Sequence, residues 1–196
     1  MYGGAGNDTL WGLKGADSLY GEDGNDSLNG GNDNDFLSGG AGNDSLNGDA
    51  GDDVLYGGLG DDKLYGGNGD DTYYFNNGDG QDTISDNGSG NDTIILGEGI
   101  CAQDIKFSKV GNNLQIDLID SDDQIIIKNH FVGEGNQIET FRTDDGLSID
   151  YTKIELMIQA MASFEDNTGM MWEEAIEAKN ETANDIVNQW WTKDAI

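Results

Sequence analysis

Aspartate recurs with a fixed spacing through the first part of the chain. It occupies the sixth position of eight consecutive nine-residue units that run without a gap from residue 3 to residue 74: Asp8, Asp17, Asp26, Asp35, Asp44, Asp53, Asp62 and Asp71. Carboxylates bind hard divalent cations, and Ca²⁺ takes about six to eight oxygen ligands. A periodic array of carboxylates therefore predicts a series of cation sites.

The overall charge also favours cation binding. The 196 residues include 39 acidic and 9 basic side chains, so the formal net charge is −30. A nucleic-acid partner is not expected, because duplex binding requires clustered Lys and Arg. Hydrophobic residues make up only 35% of the chain, which is little for an ordinary apolar core, so something other than apolar burial must hold the first half together.

Residues for other kinds of chemistry are few. Cys101 and His130 are the single cysteine and histidine of the sequence, which excludes an intrachain disulfide and a zinc site made of Cys and His ligands. The motifs HExxH and GxSxG are absent, and one histidine would have to serve as the base. We therefore expect no enzyme activity, a buried inert thiol at Cys101 and a structural imidazole at His130.

Turns and short strands must position the aspartates. Each unit begins with Gly, and its eighth residue is Leu in seven units and Tyr73 in the last. The Gly-rich hexapeptide predicts a turn, and the three residues around the aliphatic one predict a short strand. Two units then make one turn of a solenoid, so residues 18 apart stack. One sheet is lined by Leu10, Leu28, Leu46 and Leu64, and the other by Leu19, Leu37, Leu55 and Tyr73.

The same register stacks the aspartates in two columns, one from Asp8 to Asp62 and one from Asp17 to Asp71. Without counterions the carboxylates of each column repel one another. A Ca²⁺ between successive turns removes this repulsion, because the turns also expose backbone carbonyls. Four turns leave three gaps in each column, which predicts about six Ca²⁺ in the regular repeats.

The repeat G-G-x-G-x-D-x-U-x resembles the calcium-binding nonapeptide of the RTX family across residues 3–95. The resemblance implies an all-β fold, a parallel β-roll or β-solenoid, with Ca²⁺ held by position-six carboxylates and by carbonyls of positions one to four. It assigns these carbonyls to Gly3, Gly12, Gly21, Gly30, Gly39, Gly48, Gly57 and Gly66 at position one and to Gly40, Gly42, Gly58, Gly60, Gly67 and Gly69 at positions two and four.

Four residues depart from glycine at these turn positions: Leu13, Glu22 and Asp49 at position two, and Asp33 at position four. A Cβ in a glycine-like conformation costs about 1 kcal/mol or more, which would weaken the sites near Asp33. A disordered linker is the alternative interpretation of such a composition. The strict nine-residue phase argues against permanent disorder, and we expect disorder only without calcium.

Two degenerate copies of the repeat follow at residues 77–85 and 87–95, displaced by the insertions Phe75-Asn76 and Asp86. The roll is expected to continue there and to widen. Asp82 and Asp92 occupy position six of these copies and would raise the number of Ca²⁺ to as many as eight.

Three regions are predicted: a roll at residues 1–96, a β-rich capping segment at 97–151 and a helical tail at 152–196. Turn signals at Gly111 to Asn113 and Asp144 to Gly146 predict hairpins in the cap. This segment also resembles the one that follows RTX repeats, which in that family is thought to start calcium-dependent folding. Thr152 and Glu155 form a predicted capping box for the first tail helix.

The tail occupies the place of the RTX type I secretion signal, and the resemblance extends loosely to its end, Thr192 to Ile196. We accordingly expect a monomeric bacterial protein that a type I secretion apparatus recognises through its tail and that acts outside the cell or at its surface. No run approaches the roughly 18 apolar residues of a membrane span. Because the repeat is in phase from Gly3, we expect the chain to be part of a longer protein.

Three functions fit the sequence. The first is a calcium-binding module at the C-terminal end of a larger exported toxin, adhesin or exoenzyme, which folds when it meets calcium outside the cell. The second is an adhesive, ligand-binding or ice-binding surface of a large RTX adhesin, although the outward position seven is too mixed for a uniform row of Thr or aromatic residues. The third is the C-terminal domain of a secreted enzyme.

Overall fold

The computed structural model describes residues 1–97 and 99–193, and within them seventeen strands and three α-helices. The strands are β1 Tyr2–Ala5, β2 Thr9–Lys14, β3 Ser18–Asp23, β4 Ser27–Asn32, β5 Phe36–Ala41, β6 Ser45–Ala50, β7 Val54–Leu59, β8 Lys63–Asn68, β9 Thr72–Phe75, β10 Gln81–Ile84, β11 Thr93–Leu96, β12 Ile105–Val110, β13 Asn113–Leu118, β14 Gln124–Ile127, β15 Thr140–Arg142, β16 Leu147–Asp150 and β17 Thr192–Lys193. The helices are α1 Tyr151–Thr168, α2 Trp172–Glu177 and α3 Glu181–Trp190.

Successive strands of the roll alternate between two parallel sheets. Odd-numbered strands from β1 to β11 pair in one sheet, and even-numbered strands from β2 to β10 pair in the other. Leu28 lies beside Leu46, and Leu37 lies beside Leu55. The predicted stacking of residues 18 apart is therefore confirmed, and the chain folds as a parallel β-roll.

The strands are longer than the sequence predicts. The inner strands β2 to β8 contain six residues each, namely positions seven to nine of one unit and one to three of the next. In β4 and β6, Gly31 pairs with Asp49 and Asn32 with Ala50. The three-residue strand was an incorrect prediction, because backbone pairing with the neighbouring turns outweighs the low strand propensity of glycine.

The interior of the roll is one side chain thick. The side chains of the two predicted leucine rows are at most 1% exposed from Leu19 to Tyr73, whereas Leu10 in the first turn is only partly buried. Burial of one leucine contributes about 1.5 to 3 kcal/mol, and each nonapeptide supplies one such residue. The apolar interior is accordingly small for the length of backbone that it orders.

An aromatic column lies on the outer face of the odd-numbered sheet. The ring centroids of Tyr2 and Tyr20 are 4.8 Å apart, and those of Tyr56 and Tyr74 are 4.2 Å apart. Phe36 bridges the gap between them at 5.5 Å from both Tyr20 and Tyr56. Such pairs add about 0.5 to 1.5 kcal/mol beyond area burial, so the column stabilises the stacking of turns.

The degenerate repeats continue both sheets with a changed register. Thr83 pairs with Lys63, a separation of 20 residues, and Thr93 pairs with Thr72, a separation of 21. The insertion of residues 75 and 76 accounts for the first change and the additional residue Asp86 for the second. The predicted continuation of the roll is confirmed.

The cap adds strands to both sheets. The antiparallel strands β12, β13 and β14 join the even-numbered sheet, where β14 pairs with β10. The odd-numbered sheet gains β15, β16 and β17, of which β15 pairs with β11. The predicted hairpin turns after Val110 and Arg142 connect antiparallel partners. These strands cover the two sheet edges that the last turn of the roll would expose.

The three helices pack on the cap. α1 buries Ile154, Met157, Met161 and Phe164, and its N-cap is Asp150, whose Oδ1 accepts a hydrogen bond from Thr152 N–H at 3.1 Å. The predicted capping box from Thr152 is thus wrong, because the carboxylate at the end of β16 already satisfies the first turn.

The described part of the tail contributes to the apolar core of the cap. Trp172 is fully buried and Trp191 is 3% exposed, and the ring of Trp191 stacks on Phe107. Residues 194–196 of the predicted secretion signal lie outside the described residues. None of the described helices has the length and apolar character needed to cross a membrane.

Candidate metal sites along the aspartate columns

Backbone hydrogen bonds fix the carboxylates of each aspartate column. The N–H of Asp8 donates to Oδ1 of Asp26 at 2.7 Å, and the N–H of Asp26 donates to Oδ1 of Asp44 at the same distance. The pattern continues from Asp44 to Asp62 and, in the second column, from Asp17 through Asp35 and Asp53 to Asp71. The structure therefore forms the two predicted columns.

The second carboxylate oxygen of most of these residues is buried without a partner. Among the described residues, Oδ2 is buried and accepts no hydrogen bond in Asp8, Asp26, Asp35, Asp44, Asp53, Asp62, Asp71 and Asp82. A buried carboxylate oxygen without a partner is costly, and a cation bound to it would remove that cost. The donor chemistry of the columns thus fits a hard divalent ion.

The position-one glycines face the Oδ2 atoms of the two columns. A Cβ at any of the eight, Gly3, Gly12, Gly21, Gly30, Gly39, Gly48, Gly57 and Gly66, would lie within 3.0 Å of Oδ2 of the aspartate in the same unit. At Gly39 it would also meet the carbonyl oxygen of Gly57, in the next turn, at 2.5 Å. Carboxylate and carbonyl oxygens therefore border a small space that a side chain would fill.

Glycine serves two different purposes in the repeat. At positions two and four the backbone φ is positive, for example 114° at Gly40 and 132° at Gly42, which L residues adopt only with strain. Position-one glycines do not have positive φ and are required for space. The sequence predicts only the conformational role of glycine, since the repeat pattern contains no information on what lies opposite each position.

The residues that replace glycine adopt the same left-handed conformation. Their φ values are 77° at Leu13, 78° at Glu22, 75° at Asp33 and 74° at Asp49. The expected glycine-like backbone at these four positions is confirmed. Each costs about 1 to 2 kcal/mol relative to glycine, and the surrounding turns hold them in place.

Burial raises the pKa of the column aspartates from Asp35 to Asp92, and the increase is largest near the cap. Desolvation is the largest cause, and the neighbouring carboxylates of the same column add to it, while the backbone hydrogen bond opposes both. The pKa rises to about 6 at Asp53, about 7 at Asp62 and Asp71, and about 8 at Asp82 and Asp92. Charged carboxylates are thus unfavourable in the ligand-free roll, and a bound cation would stabilise their charged form.

Asp82 and Asp92 extend the two columns despite the insertions. Oδ1 of Asp82 accepts from the N–H of Asp62 at 3.0 Å, and Oδ1 of Asp92 accepts from the N–H of Asp71 at 2.9 Å. The structure therefore brings all ten predicted aspartates into the columns.

Two acidic residues of the cap were missed by the sequence analysis. Oε2 of Glu139 accepts from the N–H of Asp92 at 2.7 Å, so Glu139 continues one column into the cap. Asp123 accepts from the N–H groups of Gly78 and Gly80 at 2.7 and 3.1 Å. Glu139 directly precedes β15, just as Asp92 directly precedes β11. The two residues are 47 positions apart, and only the pairing of β15 with β11 brings them together, so the repeat pattern gave no signal for Glu139.

The single histidine and cysteine lie in the cap. His130 is 1% exposed, its Nδ1 accepts from Ile138 N–H at 3.3 Å, and burial lowers its pKa to about 4. This is the environment of a structural imidazole. Cys101 is half-buried, so the expectation of a buried thiol was wrong. Desolvation and the nearby Asp145 and Asp104 raise the thiol pKa, which disfavours the nucleophilic thiolate.

Two family models match the chain. The model of the RTX calcium-binding nonapeptide repeat matches four overlapping stretches, residues 2–37, 30–64, 38–73 and 48–84. The model of the haemolysin-type calcium binding protein related domain matches residues 113–153. Together the matched residues make up more than half of the chain. No curated protein sequence matches the chain.

Proposed function

We propose that this chain, which belongs to the RTX family of haemolysin-type calcium-binding repeat proteins, is a module whose folding is controlled by calcium. RTX repeats bind calcium, and the β-roll is a structural calcium-binding fold. The observation that carries the proposal is the row of buried Oδ2 atoms without hydrogen-bond partners. We assign no catalytic role to the chain itself.

The proposed ions lie between successive turns along each column. Their ligands are the position-six carboxylates and the turn carbonyls, including those of the position-one glycines. We propose about six ions in the regular repeats and up to eight with Asp82 and Asp92. Residues 3–74 contain 15 acidic residues and 2 lysines, a net charge of −13, so six divalent ions nearly neutralise the roll. Folding is thereby linked to ion binding.

A titration monitored by far-ultraviolet circular dichroism tests this function. We expect a strand signal that is weak in chelator and that develops cooperatively near 10⁻⁴ to 10⁻³ M calcium, roughly the range of extracellular modules. Magnesium is the matched control, because the smaller ion requires near-octahedral geometry and retains its water. An identical strand signal in chelator and in calcium would contradict the proposal.

We further propose that the chain is the C-terminal part of a larger bacterial protein that is secreted through a type I apparatus, and that it is monomeric. RTX repeats are typical of secreted bacterial proteins, which supports this proposal. In the low calcium of the cytosol the carboxylates would keep the roll open and suited to passage through a channel. Outside the cell, calcium would fold it.

Secretion of a passenger protein fused to this chain tests the export proposal. Deletion of residues 167–196 should abolish secretion by a co-expressed type I apparatus. The same deletion also removes Trp172 and Trp191 from the core of the cap, so calcium-induced folding of each purified fusion must be measured in parallel. Undiminished secretion of the truncated fusion would exclude the tail as the signal.

The aromatic column favours a second candidate function. The rings from Tyr2 to Tyr74, stacked in the two tyrosine pairs and tilted on either side of Phe36, form a continuous stripe on the outer face of one sheet, which position seven alone did not predict. Because neighbouring rings cover one another's faces, a polysaccharide would contact the exposed edges of this stripe, as an adhesive surface would require. Binding of the folded chain to polysaccharides, with Tyr20→Ser and Tyr56→Ser as variants, would distinguish an adhesive surface from a purely stabilising column.

A further inference from the structure

Asp86 is the single residue inserted between the two degenerate nonapeptides. The insertion changes the separation of paired strands from 20 residues in one sheet to 21 in the other. The Asp86 side chain is nevertheless 2% exposed. An inserted residue is usually accommodated at the surface, and burial of an additional carboxylate is costly unless it binds a partner.

The Asp86 carboxylate belongs to a compact group of three. Ligand oxygens of Asp71, Asp86 and Asp92 all lie within 4.8 Å of one another, and all three residues are buried. Backbone N–H groups of Asp53, Gly88 and Asp71 hold one oxygen of each, at 2.8, 3.1 and 2.9 Å respectively. Oδ2 of Asp71, a residue only 1% exposed, accepts no hydrogen bond.

A second departure from the repeat occurs at the same place. Tyr73 occupies the inward position at which seven units have leucine. Its hydroxyl accepts from Gly66 N–H at 2.8 Å and donates to Oδ2 of Asp86 at 2.9 Å. A Cβ at Gly66 would meet Oδ2 of Asp71 and the Tyr73 hydroxyl, so this hydroxyl stands where the regular site at Gly39 has the carbonyl of Gly57.

The donor set here differs from that of the regular sites. A regular site has two stacked position-six carboxylates together with turn carbonyls. At this junction a third carboxylate, that of Asp86, is added, and the Tyr73 hydroxyl, which donates to that carboxylate, lies where a regular site has a position-one carbonyl. The affinity of calcium sites rises with the number of charged ligands and with the rigidity of the site.

We propose that Asp71, Asp86 and Asp92 form an off-register calcium site at the junction of roll and cap, which binds calcium more tightly than the regular sites. Tyr73 is a positioning residue that holds the Asp86 carboxylate. The site is linked to the cap because Glu139 accepts from the N–H of Asp92. It therefore fills first and fixes the last turn of the roll to the cap. The inference rests on the proposed calcium-dependent folding.

Calorimetric calcium titration of the full chain tests the site, with Asp86→Asn as the main variant and Asp26→Asn as the matched control. Asp26 is also a buried aspartate, but it belongs to a regular column. We expect the first equivalent of calcium to bind about tenfold more weakly to Asp86→Asn, which corresponds to a loss of about 1.4 kcal/mol in binding free energy. Asp26→Asn should bind the first equivalent of calcium with wild-type affinity. Only the affinity for later equivalents should be lower in this variant.

Tyr73→Phe is the second variant, and it keeps the buried ring while removing the hydroxyl. We expect it to weaken binding of the first equivalent of calcium by a smaller factor than Asp86→Asn does. It should also reduce tyrosine-sensitised terbium luminescence at one equivalent of Tb³⁺. If Asp86→Asn does not fold in calcium, the Tyr73→Phe measurement decides. The proposed site would be overturned if Asp86→Asn bound the first equivalent of calcium with wild-type affinity. If Asp86→Asn does not fold, wild-type affinity of Tyr73→Phe for the first equivalent would overturn it. Absence of calcium-induced folding in the wild type would instead overturn the proposed function.

Discussion

Replacement of Asp44 by asparagine separates the metal-binding role of the carboxylate from its structural role. Oδ1 of Asp44 accepts from Asp26 N–H, whereas its buried Oδ2 has no partner. Asparagine can still accept this hydrogen bond through Oδ1, but its amide nitrogen replaces Oδ2, the oxygen that would bind the cation. Asp44→Asn should therefore weaken the two proposed sites that Asp44 shares with Asp26 and Asp62.

The expected loss of stability follows from the number of sites. With a dissociation constant of about 10⁻⁴ M, one site in about 1 mM calcium stabilises the folded chain by about 1.4 kcal/mol. Asp44→Asn should lower the free energy of unfolding by about 2.8 kcal/mol, since two sites are affected. Asp8→Asn should lower it by about 1.4 kcal/mol, since Asp8 has a column neighbour on one side only.

Guanidinium unfolding at fixed calcium, together with calorimetric stoichiometry, measures both effects. Asp23→Asn is the matched control, because Asp23 is an exposed acid on the same roll, and it should change stability by less than about 0.5 kcal/mol. Equal losses for Asp44→Asn and Asp8→Asn would refute the sharing of each inner aspartate by two sites. A loss for Asp44→Asn no larger than that for Asp23→Asn would refute metal binding by the column.

Three further perturbations have defined outcomes. Gly39→Ala should destabilise the calcium-bound roll by about 1 to 3 kcal/mol, because its Cβ would overlap Oδ2 of Asp44. Denaturant unfolding should show little effect of Gly133→Ala, where a Cβ meets no atom within 4 Å. In chelator, lowering the pH from about 8 to about 5 should increase the strand signal in circular dichroism. The folded pKa is raised from 3.8 to about 6 at Asp53 and to about 8 at Asp82, so protonation stabilises the ligand-free roll and that contribution is lost as the pH rises through these values. A strand signal that does not change with pH would contradict the predicted stabilisation by protonation. A fragment of residues 1–96 should not fold in calcium, since its last turn lacks the cap strands. Folding of this fragment at the calcium concentration that folds the full chain would exclude a nucleating cap.

Periodic features of the fold could be predicted from the sequence. The nine-residue phase was sufficient to pair Leu28 with Leu46 and to align Asp26 with Asp44, because each unit meets an equivalent unit two repeats later. The positive φ at Leu13 and Asp33 could be predicted for the same reason. Where every turn repeats its neighbour, local pattern and long-range contact contain the same information.

Features that depend on contacts between unlike segments could not be predicted in this way. Glu139 joins an aspartate column only through the pairing of β15 with β11. The meeting of Tyr73 with Asp86 depends on how the inserted residue is accommodated in the roll. Asp150 became the N-cap of α1 because β16 ends there. In each case the determining partner is distant in sequence and outside the repeat.

The hydrogen bonds of the aspartate columns give the roll a polarity. Each aspartate N–H donates to a carboxylate that lies toward the C-terminus, and Glu139 supplies the final acceptor of one column. The position-seven N–H groups donate in the other direction, for example Ser45 N–H to the Asp26 carbonyl and Lys63 N–H to the Asp44 carbonyl, each at 2.9 Å. A turn without its C-terminal neighbour therefore leaves its aspartate N–H unpaired, and a turn without its N-terminal neighbour leaves its position-seven N–H unpaired. The two ends of a column thus require different partners, because the aspartate N–H needs a carboxylate on its C-terminal side and the position-seven N–H needs a backbone carbonyl on its N-terminal side. A segment that closes a column at the cap end must supply a carboxylate, as Glu139 does, so such a terminator is defined by an acidic side chain as well as by a strand that pairs with the last turn.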